Sequence, residues 1–121
     1  MKFVVFLFLG IMMHATTAAA EDIPAGDAAH GKTIYESICI HCHKLTDEKS
    51  AVGAPGFKDV TKRHTPAWLN QWIKGPEAFA KVDATAKKLM DGNTMGVKMP
   101  SFPEMQTDQN RYDVIEFLKT L

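Results

Sequence analysis

The chain has 121 residues, with 14 basic and 14 acidic side chains, five histidines and two cysteines. That even charge balance gives no case for nucleic-acid binding, which requires a basic face. The length suits one small domain, and no repeat, low-complexity tract or long linker divides it.

Residues 1–20 read as a secretory signal peptide. Lys2 supplies a positive start, Phe3 to Met13 is an apolar run interrupted only by Gly10, and Ala18-Ala19-Ala20 offers small residues for cleavage after Ala20. The run is well short of the roughly 20 apolar residues of a spanning helix. The expectation is therefore an exported domain over 21–121 with no membrane span after cleavage. Without Lys2 it carries 13 basic and 14 acidic residues, a net charge near −1.

Asp27 suits the N-cap of a first helix running to about Cys42, with Gly31, Ile34, Tyr35 and Ile38 on one face. A glycine on an apolar helix face costs stability, which close approach of another helix at Gly31 would offset. Residues 44–64, broken by Gly53, Pro55 and Gly56, read as a loop with at most a short turn. Thr65-Pro66 opens a second helix. Trp68, Leu69, Trp72 and Ile73 form its stripe, and Gly75-Pro76 stops it. A third helix covers Ala84 to Met90, ended by Asp91-Gly92-Asn93, and an irregular stretch follows through Met95, Gly96, Met99, Pro100 and Pro103. Thr107 caps the last helix, whose Val114, Phe117, Leu118 and Leu121 form the natural partner of the Gly31 face. No segment alternates convincingly enough for a strand. The expected fold class is all-α, about four helices joined by long loops, and loops this long in a small domain call for an organising group.

Cys39-Ile40-His41-Cys42-His43 supplies that group. It is a Cys-x-x-Cys-His string holding both cysteines, the attachment spacing of a c-type haem. Each thiol adds to one vinyl group, and His43 then lies where it can bind the iron. A disulfide across so tight a loop would do little for stability. A redox dithiol would call for a βαβ setting, and a zinc site for more ligands. The second axial ligand decides what the iron can do. Met99, on an irregular loop before Pro100, is the expected one, with Met95 its nearest rival and His64 the bis-histidine candidate. Filling both axial positions would leave only electron exchange. Lys44 and Lys98 flank the two ligands and could rim an exposed haem edge.

These residues resemble the class I mono-haem c-type cytochromes over essentially all of 25–121. The likeness rests on Gly26-Asp27-Ala28-Ala29-His30-Gly31-Lys32, the Cys39–His43 string, Gly53-Ala54-Pro55, Met99-Pro100-Ser101-Phe102 and Ile115-Glu116-Phe117-Leu118-Lys119. The resemblance implies a cytochrome c fold around one covalently bound haem c, with Gly31 and Tyr35 crossing Val114 and Phe117. It implies that the Pro55 carbonyl accepts from the axial histidine's other ring nitrogen. It also implies propionate contacts from a tryptophan of the middle region, assigned to Trp72, and from Arg63. The implied function is a monomeric periplasmic electron carrier that makes or breaks no substrate bonds. Its donor and acceptor would be membrane respiratory complexes or periplasmic oxidoreductases. The alternatives are a haem-bearing subunit of a larger respiratory or dehydrogenase complex, and a haem sensor or catalyst with an open axial position.

Overall fold

A computed structural model describes residues 23–121, so the signal-peptide reading of 1–20 lies outside the described residues. Six α-helices follow in chain order: α1 (Ala28–Ser37), α2 (Val60–Arg63), α3 (Pro66–Lys74), α4 (Pro76–Ala80), α5 (Ala84–Asp91) and α6 (Asp108–Leu118). Two 3-10 turns, Cys39–His41 and Pro103–Gln106, complete the regular structure, and no strand occurs among the described residues.

Six helices stand where about four were expected, and the additions are short. α2 is a single turn inside the long loop. α4 arises because Pro76, read as a stop, also occupies the first position of a new helix, where its missing N–H costs nothing. The first helix ends at Ser37 rather than near Cys42: Ile38 departs from helical geometry (φ −123°, ψ −59°), and Cys39 opens a tighter turn. Asp27 caps α1 as expected, its Oδ1 accepting from Ala29 N–H at 2.9 Å and His30 N–H at 3.2 Å. Thr65 caps α3 through its hydroxyl, 3.2 Å from Trp68 N–H. Thr107 sits at the N-cap of α6, but its hydroxyl donates back to the Glu104 carbonyl at 3.4 Å instead of capping.

The core forms where α1 crosses α6. A Cβ on Gly31 would stand 1.9 Å from the Asp113 carbonyl oxygen, closer than any side chain permits, so this glycine is what lets the two backbones meet. Tyr35 packs beside the crossing, its ring centroid 5.7 Å from Phe117 and 5.9 Å from Phe57. Leu69 and Ile73 of α3 join the same buried cluster with Val114, Ile115 and Leu118. Arg111, 1% exposed, has a partner for each guanidinium nitrogen: Nε donates to Asn70 Oδ1 at 2.7 Å, Nη1 to the Met105 carbonyl at 2.5 Å, and Nη2 to Asp108. One α6 side chain thereby ties down α3 and the turn that leads into α6.

Candidate functional site

The turn after α1 gathers the Cys-x-x-Cys-His residues. Cys42 N–H and His43 N–H both donate to the Cys39 carbonyl, at 3.1 Å and 2.8 Å, which folds the string back on itself. Cys39, Cys42 and His43 consequently line one cavity of about 670 Å³, within the roughly 300–1,000 Å³ usual for cofactor sites. The two cysteines are not joined to each other in a disulfide. Burial, and secondarily the neighbouring Cys42, push the Cys39 thiol up to about 11.

His43 is held from three sides. Its Nδ1 lies 2.8 Å from the Pro55 carbonyl oxygen. A carbonyl only accepts, so Nδ1 carries the proton and the lone pair is on Nε2. The imidazole stacks on Phe57 at 4.4 Å and 19°. Tyr35 Oη donates to the His43 carbonyl at 3.0 Å. Burial lowers the His43 pKa, against the opposing pull of the Pro55 carbonyl, which favours the neutral ring that can bind a metal. The Pro55 contact agrees with the sequence reading. Phe57 and Tyr35 carried no local signal for a site role and emerge only from packing.

The two rival methionines part company here. Met99 is half-buried and lines the cavity, whereas Met95 is 60% exposed and lies outside the lining. His64 also lines the cavity, stacked on Trp68 at 4.1 Å and 17°, and Trp68 stacks in turn on Trp72 at 5.4 Å and 15°. Trp68 Nε1 donates to Asp83 Oδ1 at 3.1 Å, so its only donor braces α3 against the start of α5. Trp72 lines the cavity beside it. Arg63 lines it too, while its Nη2 donates to the Gly56 carbonyl at 2.6 Å and to the Lys58 carbonyl at 3.3 Å, closing the loop that carries Pro55 and Phe57. His41 is exposed, and His30 pairs with Asp113 away from the cavity.

The wall is largely aliphatic and aromatic. Its cations are Lys49, Arg63, Lys88 and Lys98, and no Asp or Glu of the described residues lines it. A broad apolar macrocycle bearing two carboxylates fits such a wall. Two thiols, an oriented imidazole and a thioether fit its vinyl groups and its iron.

The family model of cytochrome c matches residues 28–121. The chain belongs to the cytochrome c family. A cytochrome c2 from Rhodopila globiformis is 30% identical over 108 residues, covering 81% of this chain and 96% of that protein. The cytochrome c of Rhodothermus marinus superposes with a TM-score of 0.67 at 21% identity, covering 89% of this chain and 87% of that one. An engineered form of it reaches 0.68 at 20% identity, covering 85% and 89%. At those identities the structures bear on the fold alone, and the fold is that of a cytochrome c. Membership brings a covalently attached haem c, for which Cys39 and Cys42 have the required spacing, and with it haem-based electron transfer. No helix among the described residues is long and apolar enough to cross a membrane.

Proposed function

We propose that this cytochrome c is a one-electron carrier whose haem iron is held by His43 on one side and Met99 on the other. The carrying observation is the contrast between Met99 in the cavity wall and Met95 in solvent. When bound, the haem supplies an Fe(III)/Fe(II) couple. Cys39 and Cys42 anchor it through thioethers, each thiol adding its hydrogen and sulfur across one vinyl double bond. Pro55 fixes the tautomer and plane of the His43 ring, and Phe57 restrains its tilt. Met99 contributes a soft, neutral thioether, which favours the reduced state and raises the potential relative to a second histidine. Were His43 and Met99 both to hold the iron, no position would be left open for a substrate, and the protein would make or break no substrate bonds.

In this reading residues 1–20 direct export to the periplasm and residues 21–121 work there as a monomer between a redox-protein donor and acceptor. Trp72 and Arg63 remain the proposed propionate neighbours, since Trp68 spends its N–H on Asp83. Lys49, Lys88 and Lys98 rim the cavity, and none of them is in an ion pair among the described residues. These three lysines would offer cations at the cavity rim although the mature chain is close to neutral, which suits brief docking on an acidic partner surface.

Met99→Ala tests the ligand set. The ferric haem-loaded protein should show a sulfur-to-iron charge-transfer band that the variant lacks, and the reduced variant should bind carbon monoxide readily. A band that persists in Met99→Ala would move ligation to another methionine.

A further inference from the structure

The loop that carries Met99 is pinned by one amide. Asn93, Thr94, Met95 and Gly96 form a tight turn in which Gly96 N–H donates to the Asn93 carbonyl at 3.3 Å and Gly96 takes a positive φ of 72°. Asn93 Oδ1 accepts from Met95 N–H at 2.9 Å, the side-chain-mimicked turn that asparagine favours. This sets the orientation of the amide, and its Nδ2 reaches two carbonyls at once: Val97 at 2.7 Å and Val52 at 3.0 Å. Val97 lies two residues before Met99, and Val52 three residues before Pro55, whose carbonyl holds His43. A single side chain therefore joins the methionine loop to the histidine-bracing loop across 41 positions of sequence.

The contact has a clearance built for it. Gly53 has φ 76°, and a Cβ there would stand 2.4 Å from Asn93 Oδ1. Only glycine fits both that backbone and that neighbour. The segment between Asn93 and Met99 otherwise lacks regular structure; Thr94 and Met95 are exposed outside the cavity, while Val97 and Lys98 line it. The Asn93 amide, itself in the cavity wall, ties this backbone to the neighbouring loop through the Val97 and Val52 carbonyls.

We propose that Asn93 is a positioning residue for the axial methionine: by donating to both the Val97 and Val52 carbonyls it holds the Met99 loop at a set distance from the loop that carries Pro55. This rests on Met99 being the iron ligand. It acts through the backbone and touches no reacting atom.

The test compares ferric haem-loaded native protein with Asn93→Ala, Asn93→Asp and Met99→Ala. Imidazole is titrated as a competitor for the methionine position, and the charge-transfer band and helicity are followed on heating. Asn93→Asp keeps the acceptor for Met95 N–H and loses both donors, so it isolates the proposed function from the turn. Both Asn93 variants should bind imidazole at least about threefold tighter, as the loss of two ordinary hydrogen bonds implies, and should lose the band at a temperature below the loss of helicity. Imidazole affinity changed by less than that in both variants, or band and helicity lost together, overturns the proposal. A band surviving in Met99→Ala instead overturns the ligand reading beneath it, so the two failures are distinguishable.

Discussion

His30 Nδ1 lies 2.6 Å from Asp113 Oδ2, and this contact spans 83 positions of sequence. The other carboxylate oxygen accepts from Asp27 N–H and from Gln109, each at 2.7 Å. A carboxylate that is only 3% exposed thus fastens the beginning of α1 to the middle of α6, next to the backbone contact at Gly31.

Acid sensitivity follows from that carboxylate. Burial pushes the Asp113 pKa up, but the donors from His30, Asp27 and Gln109 together outweigh it, and the net value falls below the ordinary 3.8. A depressed carboxylate contributes stability that is present above the unfolded-state value and is lost as pH falls through the folded one. Asp113→Asn should therefore be less stable than the native protein in denaturant melts at about pH 7, and the gap should narrow by about pH 3. A gap that stays constant across that range would mean that Asp113 acts by shape rather than by charge.

Gly31→Ala weighs two opposed effects. Alanine gains up to about 1 kcal/mol of helix propensity over glycine, but the added methyl meets the Asp113 carbonyl at 1.9 Å. The neighbour is backbone on a packed helix and cannot swing aside, so overpacking of roughly 1–3 kcal/mol or more should win. The expected result is a melting temperature lower by several degrees, on a scale of about 4–8 °C per kcal/mol for a domain of this size. A raised melting temperature would show that the helices can separate at little cost.

The lysine rim makes a kinetic prediction. Replacing Lys49, Lys88 and Lys98 together by glutamate should slow oxidation of the reduced protein by a small anionic reagent such as ferricyanide, on the order of tenfold at low salt. The effect should fade as added salt shortens the screening length toward about 8 Å. The same charge change at Lys32, Lys62 and Lys119, none of which lines the cavity, is the control. Equal slowing by both sets would mean that net charge, not the rim, governs the encounter.

Signals confined to a few neighbouring residues were legible in the sequence. The Cys39–His43 string, the Asp27 and Thr65 caps and the Gly31 face each announce themselves over one or two helical turns, and each recurs in the structure. Contacts between distant segments were not legible in this way. The Pro55 hydrogen bond to His43 came only through family resemblance, because nothing in residues 44–64 marks one carbonyl over another. Asp113 and Arg111 were missed because α6 was read for its apolar spacing, and a buried charge becomes tolerable only once its partners are known: His30, Asp27 and Gln109 for one, Asn70, Met105 and Asp108 for the other. α4 was lost to a one-sided reading of Pro76, which ends one helix and begins the next.

The crossing of α1 and α6 also orders events in time. Its residues come from the two ends of the described chain, so the crossing cannot close until α6 has reached α1. Until then the turn bearing Cys39 and Cys42 has no α6 behind it and no finished wall around it. Val114 and Leu118 of α6 join the wall that the half-buried Cys39 and Cys42 share only when that helix docks, so the cavity is complete only once the two ends of the described chain have met.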